Sequence, residues 1–258
     1  MNAFHAIVLS IIEGITEFLP ISSTGHLILA NSLLHIPDTD FVKTFDIWIQ
    51  LGAILAVALL YAKKLLVDKS VLIRVGAAFL PTAVIGFALY KIIKHYLLGN
   101  PWIVVITLAL GGLILVAVEL VHKENESAKQ TIGEMSLRQA VIVGLAQSLS
   151  VVPGVSRAAA TIVGGQLTGL SRRAAVEFSF LLAIPTMIAA SGLDLVKSNA
   201  FSFSPTQLSF LTIGFVGSCV TALFVVKLFL QFIQKNTFIP FGIYRILIAF
   251  LFIFFVLR

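Results

Sequence analysis

The sequence predicts an all-α, polytopic membrane protein, and three observations lead there. The 258 residues are 59% hydrophobic and only 12% charged, about half the ~25% charge of a soluble domain. Apolar stretches of membrane-spanning length recur with short polar loops between them, enough for roughly six to eight segments. Two further stretches are too short to span and are broken by polar residues. The net charge of +6 falls mostly in loops, so it reads as topology information and not as a nucleic-acid surface. The one cysteine, Cys219, excludes an intrachain disulfide or a thiolate metal site.

Residues 4–19 form an apolar helix interrupted by Glu13 and Glu17 and ended by Pro20. Its reach of about 24 Å is short of a hydrocarbon core of about 30 Å. The next stretch, 27–36, is also short. With the intervening "PISSTGH" the pair predicts a re-entrant hairpin, whose non-helical bend is tolerated only inside protein or beside a wet cavity. Full spans follow at about 45–62, 75–93 and 101–121. After the polar loop "HKENESAKQTIGEMS" the order recurs: a short helix at 137–152, a break at "PGVSRAAAT", a short helix at 158–168, and spans at about 174–193, 206–228 and 239–257. The N-terminus lacks a basic leader region and a cleavage site, and reads as mature protein.

A shift of 133 residues places Pro20 on Pro153, Ser23 on Ser156 and Phe45 on Phe178. The expectation is a single integral membrane domain made of two repeats, about 1–121 and 137–258. Three crossings and a hairpin per repeat invert the second copy. If the 63–74 loop is cytoplasmic, eleven cations face inward (Lys63, Lys64, Lys69, Arg74, Lys123, Lys129, Arg138, Arg172, Arg173, Lys227, Lys235) against five outward (Lys43, Lys91, Lys94, Lys197, Arg258). The positive-inside rule then sets both termini outside, with the two hairpins entering from opposite faces.

Glu13 and Glu17 are four apart and share one helix face. Paired carboxylates repel unless a cation or proton intervenes, and each is expensive in a membrane. They predict a site for a divalent cation, Mg²⁺ or Ca²⁺. The alternatives are water-exposed residues at a helix end, or one protonated glutamate. Ser22, Ser23 and Thr24 follow Pro20 at a helix start, where hydroxyls commonly cap. His26 lies three residues beyond Ser23. Carboxylates, hydroxyls and an imidazole together form an inventory of metal ligand, nucleophile and base.

The second break supplies the opposite charge. Ser156, Arg157 and Thr161 open a helix after Pro153-Gly154, and a helix N-terminus with an arginine fork suits phosphate oxygens. The alternative role for Arg157 is to neutralise Glu13 or Glu17. Gln147, on the preceding helix, either hydrogen-bonds within the site or packs.

"EGITEFLPISSTGHL" and "PGVSRAAAT" resemble the two signature regions of the undecaprenyl-pyrophosphate phosphatase family of the bacitracin-resistance type. The resemblance covers essentially the whole chain. It implies hydrolysis of a C55 isoprenyl pyrophosphate to the monophosphate and inorganic phosphate outside the cytoplasm, recycling the lipid carrier of cell-wall synthesis. It implies functional roles for Glu13, Glu17, Ser23, His26, Ser156, Arg157 and Thr161. The family often has Ser-Arg-Ser, whereas Ala158 follows Arg157 here. On this reading Glu17, Ser23, His26 and Arg157 are catalytic. Ser22, Thr24, Gln147, Ser156 and Thr161 bind substrate, and Glu13 with Glu17 holds the cation. The nucleophile stays open among Ser23, His26 and metal-bound water. The partners are the isoprenyl pyrophosphate and membrane lipids, with a homodimer left open.

A transporter or flippase of a lipid phosphate is the rival, because broken helices in inverted repeats also build secondary transporters. A transporter needs charge complementarity but no nucleophile. The Lys–Arg-Pro and Ser-Arg…His elements of an unrelated membrane acid phosphatase family are absent. Arg245, inside the last span, is expected to snorkel or to pair with Asp46 or Glu177, and Glu177 to pair with Arg173 four residues before it. His5, His35, His95 and His122 are assigned no chemistry, and the 21 phenylalanines are expected to face lipid.

Overall fold

The computed structural model describes residues 1–92, 97, 100–121, 130–197 and 203–256. Among the described residues ten α-helices run in chain order: α1 (Ala3–Thr16), α2 (Ser23–Leu33), α3 (Asp40–Val67), α4 (Lys69–Ile92), α5 (Pro101–Val121), α6 (Leu137–Ser148), α7 (Arg157–Leu167), α8 (Arg172–Lys197), α9 (Pro205–Phe232) and α10 (Ile239–Val256). Six of them (α3, α4, α5, α8, α9 and α10) are long and apolar enough to cross a membrane. The chain is thus an all-helical, multi-pass membrane protein. Lys94, His95, His122, Lys123, Lys129 and Arg258 lie outside the described residues.

Local chemistry fixes the helix starts. The side chains of Asn2 and Thr39 accept amide hydrogen bonds from His5 and Val42. Ser136 with Gln139 and Ser204 with Gln207 form capping boxes, and Pro205 occupies the first turn of α9. The short α1 spans about 21 Å and cannot cross alone.

Packing follows small residues, as expected where lipid removes the hydrophobic drive between helices. On α5 and α10 a Cβ added at Gly112 would fall 2.6 Å from the Gly242 carbonyl, and one at Gly242 would fall 2.7 Å from the Gly112 carbonyl. Only glycine lets these two backbones touch. The pairings exchange between the halves. Helix α1 packs on α9 as α6 packs on α4, α5 packs on α10, and α3 packs on α8.

Two groups of helix ends gather apart. Leu34 and Ile36 after α2, Phe41 at the start of α3, and Phe203 before α9 share one cluster. At the other group, Lys64 at the end of α3 pairs with Glu177 of α8, and Glu119 near the end of α5 pairs with Arg172. Arg74 of α4 bonds the carbonyls of Gly133 and Met135 there, and Gln139 of α6 reaches Thr168 after α7. The ends of the α1–α2 hairpin belong to the first group, and those of α6–α7 to the second.

The phenylalanines do not all face lipid. Phe18, Phe45, Phe178, Phe180, Phe238 and Phe252 are among the largest fully buried side chains, while Phe87, Phe224 and Phe250 are exposed. Large rings fill the spaces that crossing helices leave between them, and edge-to-face pairs such as Phe18–Phe180 (centroids 5.4 Å apart) stabilise the filling.

Candidate active site

The bends of the two hairpins meet. Both bends end in a serine forced into left-handed backbone, Ser22 at φ 71° and Ser156 at φ 73°, which costs of order 1–3 kcal/mol per non-glycine residue. Each is the N-cap of the returning helix. Ser22 and Ser156 thus hold the same place in the two bends. Glu13 and Gln147 precede these serines by the same number of residues, and both are fully buried.

Glu17 joins the hairpins. Its Oε2 accepts a hydrogen bond from Ser23 Oγ at 2.6 Å, and its Oε1 accepts one from Arg157 Nη2 at 2.7 Å. Ser23 and Arg157 are the first residues of α2 and α7, so two helix N-termini, with their positive dipole ends, converge on one carboxylate. The Arg157 fork also donates from Nη1 to the Ser179 carbonyl at 3.1 Å and lies 5.7 Å from the centre of the Phe18 ring. Its Nε is buried without an acceptor. Glu13, one turn before Glu17, is fully buried with both carboxylate oxygens unpartnered, so neither glutamate is the water-exposed residue of the alternative reading.

His26 turns away from Ser23. Its Nδ1 is 2.8 Å from the Ser22 carbonyl, and its Nε2 is 2.8 Å from the Tyr244 hydroxyl of α10. The other predicted residues take outlying places. Ser156 Oγ accepts from the Ala159 amide at 3.1 Å and acts as a cap. Ser22, at the matching position, makes no such side-chain bond. Thr161 Oγ1 donates to Ser179 Oγ at 2.7 Å, which supports the residue that holds Arg157. Gln147 donates to Thr82 and Thr186 at 2.9 and 3.0 Å, tying α6 to α4 and α8, and Thr24 is exposed. Ala158 packs in the apolar core, where a second hydroxyl would need a partner.

Arg245 overturns its expectation. It neither snorkels nor pairs with Asp46 or Glu177. It is fully buried and donates to five backbone carbonyls: Pro20 in the first bend, Gly154 and Val155 in the second, and Thr107 and Leu108 on α5. Both bends expose carbonyls that no helix can satisfy, and one guanidinium satisfies them together. Asp46 instead accepts from Asn31 at 3.3 Å, and Glu177 takes both Arg173 and Lys64. Tyr244, Ser179 and the bend-clamping role of Arg245 were missed from sequence. The available signals were a charge deep in a span and the position of Ser179 directly after the repeat-matched Phe178.

The sequence profile of the bacitracin resistance protein BacA matches residues 6–251 of the chain. The chain belongs to the BacA family. It is similar to the undecaprenyl-diphosphatase of Aquifex aeolicus, 52% identical over 249 residues and 96% of each chain. That of a Sulfurihydrogenibium species is 50% identical over 98% of each chain. That of Wolinella succinogenes is 47% identical over 99% of this chain and 98% of its own. In this BacA family chain the bends of α1–α2 and α6–α7 border one cluster of Glu13, Glu17, Ser23 and Arg157, with His26 beside it.

Proposed function

We propose that the chain is a membrane phosphatase that hydrolyses undecaprenyl pyrophosphate to undecaprenyl phosphate and inorganic phosphate. The Ser23–Glu17–Arg157 chain carries this reading. A hydroxyl 2.6 Å from a carboxylate that a third group orients is the arrangement of an activated nucleophile. Ser23 Oγ attacks the terminal phosphorus and Glu17 takes its proton. The bond from that phosphorus to the bridging oxygen breaks, and undecaprenyl phosphate leaves with the electron pair. A water then attacks the phosphoserine, the phosphorus–Oγ bond breaks, Glu17 returns its proton to Ser23 Oγ, and the water's protons leave with inorganic phosphate. Arg157 Nε and the first-turn amides of α2 and α7 receive the phosphoryl oxygens, the electrostatic stabilisation on which phosphoryl transfer depends. His26 does not take the Ser23 proton; its Nδ1–H holds the Ser22 carbonyl at the start of α2. A flippase would need no hydroxyl bonded to the carboxylate, so this contact favours the enzyme.

A divalent cation, Mg²⁺ or Ca²⁺, belongs to the same proposal, held by Glu13 with Glu17. The orphaned, buried oxygens of Glu13 suit a hard ion. Among the described residues no group of three or more His, Cys, Asp or Glu encloses a metal site, so substrate oxygens and water would complete the shell. When bound, the ion neutralises phosphate charge.

The separate gathering of the two hairpins' ends supports re-entrant hairpins in inverted repeats, and the loop charges support termini outside the cytoplasm of a bacterial plasma membrane. The isoprenyl tail stays in lipid while the head enters between the bends. The test is phosphate release by purified protein from undecaprenyl pyrophosphate, with and without chelator. Release abolished by Ser23→Ala supports the proposal, and a wild type that releases none overturns it.

A further inference from the structure

We infer that Tyr244 is a positioning residue for His26, holding its imidazole in one tautomer through the catalytic cycle. The carbonyl of Ser22 can only accept, so the 2.8 Å contact with Nδ1 makes Nδ1 the N–H of the neutral ring. Nε2 then carries the lone pair and accepts from the Tyr244 hydroxyl at 2.8 Å. The two rings lie within 7° of parallel, with centroids 5.5 Å apart, so the hydroxyl meets the imidazole edge in a near-common plane, the geometry that a hydrogen bond to the Nε2 lone pair needs.

Tyr244 is 39% exposed while His26 is buried, so the phenol is placed by the α10 backbone that carries it. Tyr244 immediately precedes Arg245, whose side chain donates to the carbonyls of Pro20, Gly154 and Val155. The α10 backbone at Tyr244 is thereby registered against both bends, although His26 and Tyr244 are 218 residues apart in sequence.

A phenol suits this position better than a plain donor or acceptor. Its oxygen donates to neutral Nε2 and, once Nε2 is protonated, rotates to accept from it. His26 therefore keeps one orientation in both protonation states, and a proton gained or lost at Nε2 stays on the edge facing Tyr244. Phenylalanine would keep the ring and lose both bonds.

The inference rests on the phosphatase reading for its catalytic meaning but not for its geometry, and two measurements separate them. ¹⁵N-histidine spectra of the full chain in lipid nanodiscs, with His26 assigned by its loss in His26→Asn, should show Nδ1 protonated and Nε2 as a hydrogen-bonded acceptor. In Tyr244→Phe the acceptor signature at Nε2 should vanish. There kcat should fall about tenfold, the worth of one neutral hydrogen bond at the transition state, with KM within about twofold. The double variant His26→Asn/Tyr244→Phe should be no slower than His26→Asn alone, a non-additivity that general loosening of α10 does not produce. Nε2–H in the wild-type spectrum overturns the inference, and so does Tyr244→Phe with wild-type spectrum and kcat. Should Tyr244→Phe not assemble, the wild-type spectrum decides. A wild type that releases no phosphate but gives the expected spectrum overturns the phosphatase reading and leaves the positioning geometry standing.

Discussion

Glu17 and Arg157 stand 140 residues apart in sequence and share an ion pair at 2.7 Å, with the arginine and glutamate side chains only 8% and 5% exposed. A buried pair of this kind is weak evidence for stability, because desolvation offsets much of the attraction, yet breaking it by removing one partner is costly. Its value lies in holding two helix starts against one carboxylate.

Arg157→Lys keeps the charge but loses the fork that reaches Glu17 and the Ser179 carbonyl together. It should lower kcat by about 10- to 100-fold, and Arg157→Ala by about 10²–10³. Steady-state phosphate release from detergent-purified protein measures both. Equal activity in the lysine variant and the wild type would show that charge alone suffices.

Glu17→Gln removes the proton acceptor for Ser23 and half of the proposed cation site. Turnover should fall by about 10²–10⁴. Glu13→Gln leaves the Ser23 contact in place, so its main effect should be a weaker response to added Mg²⁺ or Ca²⁺. Metal titrations of both variants distinguish the roles. Unchanged activation in Glu13→Gln would remove that residue from cation binding.

Arg245→Met should destabilise strongly. It leaves the bend carbonyls of Pro20, Gly154 and Val155 without this donor, each worth about 1–3 kcal/mol if unsatisfied. The expected outcome is a large drop in thermal midpoint in detergent, with activity lost even at temperatures where the variant stays assembled. A wild-type midpoint would mean that water replaces the guanidinium.

Orientation is testable on a Cys219→Ala background. Asp38 and Arg138 are both exposed, near the starts of α3 and α6. An impermeant thiol reagent added to intact cells should label Asp38→Cys and spare Arg138→Cys. The reverse pattern would place both termini in the cytoplasm.

The sequence alone determined the local features. Hydropathy marked the six long helices, the short helices and polar breaks marked the hairpins, and α5 begins and ends where its apolar run does, at Pro101 and Val121. Those features depend on what a segment of chain does with its own backbone and with lipid, so they can be read from that segment. The tertiary structure decided which groups touch. Nothing near Arg245 in sequence announces the carbonyls of Pro20 and Gly154, because the bends become its partners only after α10 packs on α5 through Gly112 and Gly242. His26 was legible as a polar residue beside Ser23, but its partner is Tyr244, from the other end of the chain. Side chains in a membrane interior satisfy their polar atoms with whatever the fold brings close, and a linear pattern records only what each residue needs.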